Sequence, residues 1–420
     1  MTERLSALAR RMTGSEILRI VVEVREMLAQ GRPLCNLTIG DYAPAQFPVP
    51  ERLARDIARY VEGGQTNYPP SNGLPELRKA VVAFYRQWLG LEVPLEGVLI
   101  AAGGRPIIYA AYRTLVDPLD RVVYPVPSWS NEYYAQICGA TAVEVPCGAD
   151  AHFLPTAAAL EPCVRGAALL VLNSPLNPAG TVFTAQQLGA ICDVVLAENA
   201  RRPAGARPLF LLFDQMYWML TFAGAKHVNP VMLRPEMAKY TISLDGISKS
   251  FAATGLRVGW GVGPPDVISA MSNLLTHVGA WAPRPEQLAT ADLLGATDDI
   301  RAFHAKMLPA LEERLRLLAD GIGALKRDGF PVDSTPPSGA IYLSAQFALQ
   351  GMRTPAGVRL ETNEQIRGYL LLAAGLAAVP FQAFGAREET GWFRLSVGAV
   401  SPEQIRALMP RLREALSALG

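Results

Sequence analysis

The chain has 420 residues, with 39 Lys+Arg against 38 Asp+Glu and a formal net charge of +1. Half of the residues are hydrophobic and only 18% are charged, against ~25% in an ordinary soluble chain. Such a balance excludes a disordered polypeptide and offers no basic excess to a nucleic acid. The five cysteines are odd in number, widely spaced and free of any C-x-x-C. They read as thiols of a reducing, cytoplasmic chain rather than as a disulfide framework. The basic N-terminus lacks the apolar centre of a secretory signal. No uncharged run reaches the ~18–20 residues of a membrane span. His152, His227, His277 and His304 show no metal-ligand spacing, so no metal site is expected.

Along the chain, the first 30 residues have a helical pattern, with an amphipathic LRIVVEVREML. A Pro-rich stretch at 33–50 reads as a crossing between domains. Short apolar runs at 97–102, 121–125, 141–146, 168–173, 208–214 and 239–245 then read as buried strands. Helical patterns at 106–115, 129–138 and 184–200 separate several of them. Strands alternating with helices predict a mostly parallel sheet covered on both faces. A long charged helical pattern fills 300–328. Strands at 340–347, 375–380 and 391–398 and a closing helix at 402–419 give the last part an α+β texture. The expected division is an N-terminal segment at 1–48, a large domain at 49–298 and a small domain at 299–420.

Ligands of such sheets gather at the carboxyl ends of the strands. Asp214 ends one strand and reads as a functional carboxylate or as a helix N-cap. Tyr217 follows three residues later, as a ligand contact or a packing aromatic. Asn177, in SPLNPAG, is a polar group beside ordinary turn signals. Gly103-Gly104-Arg105-Pro106 opens a helix. Free N–H groups there, with an adjacent Arg, suit a phosphate, although most Gly-Gly turns bind nothing. Neither Walker A nor G-x-G-x-x-G occurs. Lys249 lies in SLDGISKSFAATGLRVGW between small residues that leave room at its amine, with Arg257 eight positions on. The other five lysines need no explanation beyond a solvated surface.

One cofactor accounts for these features together. Pyridoxal 5'-phosphate needs an amine, a carboxylate for its ring nitrogen, a phosphate cup, an aromatic face and donors to its phenolic oxygen. The motifs also resemble a known family. NYPPSNGLPELRKAV, AGGRPIIY, YPVPSWSNEY, NSPLNPAG, DQMY, DGISKSFAATGLRVGW and FRLSVG occur in the order found in fold-type I pyridoxal-phosphate aminotransferases of the aspartate aminotransferase superfamily, class I/II.

The resemblance implies a seven-stranded, mostly parallel sheet between helices, plus a smaller α+β domain. It assigns Lys249 to the Schiff base and Asp214 to the pyridinium. Asn177 and Tyr217 fall on the phenolic oxygen, and Trp129 on the ring. Gly104, Arg105 and Arg257 fall on the phosphate. Tyr68 would reach the phosphate of a neighbouring subunit, which implies a homodimer with shared sites. Arg394 would bind the substrate α-carboxylate, with Gly40 nearby. Three positions depart from the common pattern. Asp245 stands where Asn is frequent, Gln215 where Glu is frequent, and Pro380-Phe381-Gln382 where a small residue is usual; the last bears on pocket shape.

The expected activity is transfer of an amino group between an amino acid and a 2-oxo acid. A pyridoxal-phosphate lyase, synthase or oxidase would use the same residues. A cofactor-binding transcription regulator would need a DNA-binding domain that the residues before Pro33 are too few to form. No second cation for a dicarboxylate is evident from the sequence. Trp281 and Trp392 read either as pocket aromatics or as core, which tilts the expectation slightly toward broad or hydrophobic amino acids.

Overall fold

The computed structural model describes residues 4–14 and 16–420. Its strands, in chain order, are β1 (Cys35–Asn36), β2 (Val98–Ala101), β3 (Arg121–Val126), β4 (Thr141–Pro146), β5 (Leu169–Asn173), β6 (Phe210–Asp214), β7 (Thr241–Gly246), β8 (Gly259–Val262), β9 (Val332–Ser334), β10 (Tyr342–Phe347), β11 (Leu376–Ala377), β12 (Val379–Pro380) and β13 (Trp392–Ser396).

Seven of them form one sheet in the order β2-β8-β7-β6-β5-β3-β4. All neighbours are parallel except those of β8, which runs antiparallel to both β2 and β7. The apolar runs are nearly continuous because both faces are covered. Leu169, Val171, Leu212 and Leu244 enter one core, while Leu170, Leu172, Leu211 and Phe213 enter another. Each run therefore divides its side chains between two cores by the period-two alternation of a strand.

All six strands expected between 97 and 245 are present, with ends moved by at most two residues. Two corrections apply. β4 is not buried: it lies at the sheet edge with Thr141, Ala142 and Pro146 exposed. β8 was not anticipated, because GWGV is short and half glycine. Close approach explains those glycines. A Cβ on Gly259 would lie 2.6 Å from the Gly103 backbone, and one on Gly261 would lie 2.9 Å from Ile107.

The four-stranded sheet β12-β13-β10-β9 is antiparallel throughout. A 31-residue helix, Thr297–Arg327, packs on its β9 and β10 strands. The run 375–380 is two two-residue strands in different sheets rather than one strand. β1 pairs in parallel with β11, which ties residues 35–36 to the C-terminal part. Two helices, Ala7–Arg11 and Glu16–Ala29, replace the single helical stretch expected at the start; residues 1–3 and 15 lie outside the described residues. Arg367 bridges Glu23 of the second helix to Glu364. No described helix is long and apolar enough to cross a membrane.

Candidate active site

The carboxyl ends of β5, β6 and β7 converge on one cleft. Asp214 is the last residue of β6, in register with Asn173 and Leu244 of its neighbours. Its Oδ1 accepts from Met216 N at 3.0 Å. Burial pushes its carboxyl up to about 6, against that single donor. A cation opposite it would restore the ionised form.

Lys249 sits on a one-turn helix, Ile247–Ser250, directly after β7. Its Nζ donates to the carbonyl of Gly40 and lies 5.9 Å from the centre of the Tyr217 ring. Burial lowers its amine to about 8, with Arg394 and Arg257 adding to the effect and Asp41 opposing it. Its backbone is held from outside by Tyr42, whose hydroxyl donates to the Lys249 carbonyl at 2.9 Å.

The Gly-Gly turn opens the helix Gly104–Leu115. Gly103 has φ +88°, and a Cβ there would lie 2.0 Å from Arg257 Nη2. Glycine is required on both counts. Arg257 donates to the carbonyls of Thr254 at 2.6 Å and Ala102 at 3.1 Å. Arg105 lies over the Trp129 ring at 4.5 Å. The Arg257 guanidinium is lowered by burial and then by Arg105. Two like charges at a helix N-terminus make an anion site.

Arg394, on β13, is 2% exposed. It donates to Thr38 O at 2.7 Å and to Asn177 Oδ1 at 3.3 Å. Its guanidinium lies 4.7 Å from the Tyr342 ring centre and 4.9 Å from that of Phe384. Its Nε is buried without a partner. Among the described residues, no ion pair joins Arg394, Arg257, Arg105 or Lys249 to an acid. An unpaired buried guanidinium is costly, and this one is shaped to take a carboxylate bidentately.

The expected residues Lys249, Asp214, Tyr217, Asn177, Arg257, Gly104, Arg105, Trp129, Gly40 and Arg394 are thus placed around one cleft. Tyr68 is not: it is 82% exposed and packs edge-on against Trp281 at 5.4 Å. Trp392 belongs to the core, against Phe153 and Phe381. Gln382 is bound to Asn363 and to the Glu388 carbonyl, so this departure ties down the small sheet's flank.

Four residues escaped the sequence reading. Tyr342 hydrogen-bonds Tyr217 hydroxyl to hydroxyl at 2.7 Å. It also sits so close to Gly40 that a Cβ there would lie 2.8 Å from its oxygen. Thr38, Tyr42 and Phe384 contact Arg394 or Lys249. The first two come from the Pro-rich crossing, where a pattern of turn residues hides any single functional group.

Residues 32–412 match the profile of the family described as aminotransferase class I and II. The chain is 30% identical to an aspartate aminotransferase of Rhizobium meliloti (strain 1021), over 97% of this chain and 94% of that one. It is also 30% identical to the aspartate/prephenate aminotransferase of Thermus thermophilus, over 98% of each. The crystal structure of the aspartate aminotransferase from Rhizobium meliloti superposes with a TM-score of 0.89 at 28% identity, covering 99% of both chains.

Proposed function

The chain belongs to the class I and II aminotransferases, and on that premise we propose how its own residues carry an amino group between an L-amino acid and a 2-oxo acid. The family implies pyridoxal 5'-phosphate, and the donor set fits it. Asp214 is a buried carboxyl with no cation, Arg105 and Arg257 crowd one helix N-terminus, and Arg394 Nε is a buried donor with no acceptor. Lys249 would hold the cofactor's carbonyl carbon and Asp214 its ring nitrogen. Asn177 and Tyr217 would face its phenolic oxygen and Trp129 its ring. Gly104, Arg105 and Arg257 would hold its phosphate. When bound, the cofactor supplies the carbon that carries the amino group and a ring that accepts the electrons left by the α-proton.

The protein's residues do the rest. Lys249 takes the α-proton and would return it to the carbon that the cofactor supplies, across the amino nitrogen. With its amine lowered to about 8, a useful fraction is free base near neutral pH. Asp214 keeps a positive charge on the atom opposite it, which sustains the electron demand. Arg394 and Asn177 fix the substrate carboxylate and so aim the α-hydrogen at Lys249. Tyr342 holds the Tyr217 hydroxyl. The exposed Tyr68 would be covered by a second copy of the chain and would serve that copy's phosphate, in a cytoplasmic homodimer. We further read 49–298 as the cofactor-binding part, with 1–48 docked on the small part 299–420.

One observation carries this reading: an amine lowered by burial, a buried carboxyl and an unpaired buried guanidinium share a single cleft. A panel of amino donors with 2-oxoglutarate tests it. The named relatives make aspartate the first donor to try, against the apolar and aromatic donors anticipated above. Full transamination by Lys249→Ala would overturn the assignment.

A further inference from the structure

Asp245 and Gln215 are the two sequence departures nearest the site, and the structure joins them in one buried network. Asp245 is 1% exposed and Gln215 is fully buried. Gln215 Nε2 meets the Tyr85 hydroxyl at 3.1 Å, and that hydroxyl meets Asp245 Oδ2 at 3.4 Å. Trp260 Nε1 reaches the same hydroxyl at 3.2 Å. Trp218 Nε1 reaches Asp245 Oδ2 at 2.8 Å, and Gly246 N reaches Oδ1 at 2.7 Å. On its other side Gln215 Oε1 meets Asn229 Nδ2 at 2.7 Å and His227 Nε2 at 3.3 Å.

The directions in this network follow from backbone N–H groups and from the two indoles. Val231 N donates to Asn229 Oδ1 at 2.9 Å, so Asn229 presents its amide nitrogen to Gln215. Gln215 must then accept through Oε1 and donate through Nε2 to Tyr85. Trp260 can only donate. Both acceptor sites of the Tyr85 oxygen are therefore filled, and its proton has one acceptor left, Asp245. All three neighbours of Asp245 donate to it. A protonated Asp245 would find no acceptor among these neighbours, so the three donors favour the carboxylate against burial, which with the nearby Asp214 pushes this carboxyl well above its usual range.

Gln215 is also the residue after Asp214. Its backbone N donates to Leu244 O at 3.0 Å, and the next N–H, of Met216, is the one that holds Asp214 Oδ1. Fixing Gln215 fixes that turn. We propose that Asp245 is an ionised positioning residue, acting through the Tyr85 hydroxyl and Gln215 to set the Asp214 carboxylate against the cofactor's ring nitrogen. The acid and the amide of this pair have exchanged places relative to the common pattern, and only one carboxylate is compatible with the single Tyr85 proton. The proposal rests on the reading of Asp214 given above.

Gln215→Glu, Asp245→Asn and the double variant test it. The readouts are the melting temperature of the cofactor-free chain and the dissociation constant for pyridoxal phosphate. In Gln215→Glu two carboxylates compete for one proton; in Asp245→Asn an amide N–H faces Trp218 or Gly246. Each single change is expected to weaken cofactor binding by about tenfold or more. In the double variant the Tyr85 proton turns to Glu and the competition between two carboxylates is gone, while the new Asn keeps one N–H facing Trp218 or Gly246. Its loss should be at least about fivefold smaller than the product of the two singles. Losses that simply multiply would overturn the proposal. So would an Asp245→Asn chain that melts lower yet binds the cofactor as the parent does. If a single variant fails to fold, a folded and binding double variant supports the proposal, and a double that also fails overturns it. Failure of the underlying reading is distinct: the parent chain would take up no cofactor, and the melting-temperature coupling would then decide the hydrogen-bond assignment by itself.

Discussion

Replacing Arg394 by Lys keeps the charge and removes the fork. In the parent, Nη2 is committed to Thr38 O and Nη1 leans on Asn177, while Nε is unused and the guanidinium lies against the rings of Tyr342 and Phe384. A carboxylate entering the cleft can complete this set with two parallel bonds. An ammonium reproduces one of them and loses the stacked plane. A hydrogen bond to a charged partner contributes about 1.5–3 kcal/mol, so kcat/KM for an amino-acid donor should fall by about 10- to 150-fold. Arg394→Ala would leave the substrate carboxylate buried and unpaired, at a cost of about 3–5 kcal/mol. The informative assay compares an amino acid with the amine that lacks its carboxylate. The parent should prefer the acid strongly, and in Arg394→Lys that preference should shrink by the same factor. A variant that keeps both rate and preference within about threefold would refute the role of Arg394.

Other substitutions probe the remaining groups. Asp214→Asn removes a carboxyl that burial has raised from 3.8 to about 6. The folded state binds the proton more tightly, so its cost to stability grows from pH 3.8 to about 6 and is full above that. The cofactor-free variant should therefore melt higher than the parent at pH 7, while cofactor affinity falls by about 100-fold or more. Lys249 is lowered from 10.5 to about 8, equivalent to a cost of about 3 kcal/mol that is full below pH 8 and fades toward pH 10.5. Lys249→Met should melt higher than the cofactor-free parent at pH 7 and lose that advantage above pH 10.5. Gly103→Ala forces a side chain onto φ +88° and into Arg257. It should cost about 1–3 kcal/mol of stability and weaken phosphate binding, read by equilibrium titration. For the shared site, mixing Tyr68→Ala with Lys249→Ala chains should restore activity. Only the mixed dimer pairs an intact Lys249 with an intact Tyr68 from the other copy, and no recovery would place Tyr68 in its own subunit's site.

How much the sequence reveals depends on whether a group travels with its neighbours. Asp214 ends a strand, the Gly103–Arg105 turn opens a helix, and Lys249 and Asn177 follow within a few residues of the strands β7 and β5, so both strand periodicity and local motif mark them. Tyr342 is different. It lies on β10 far from any motif, its alternation fits an ordinary core strand, and only the packing of β10 against Tyr217 and Gly40 gives it a role. Thr38 acts through a backbone carbonyl, which leaves no trace in residue identity. β8 was missed because its glycines answer to close backbone neighbours rather than to strand propensity. β4 shows the reverse: the strand was legible as a short apolar run, but its edge position depends on strand order. The departures at Asp245 and Gln215 were visible as single letters. Their link through Tyr85 needed the fold, because Tyr85 comes from a helix 130 residues from Gln215 and 160 from Asp245.

The central claim is that Lys249 moves a proton so that an amino group leaves its donor and stays on the cofactor. A single-turnover measurement tests it most directly. Cofactor-loaded chain is mixed with one L-amino acid and no acceptor, and the 2-oxo acid and ammonia formed are counted per site. About one 2-oxo acid per site is expected, with no free ammonia, a matching loss of the cofactor's visible absorbance, and no such product from Lys249→Ala. Continued release of ammonia with the oxo acid, or an undiminished yield from Lys249→Ala, would contradict it.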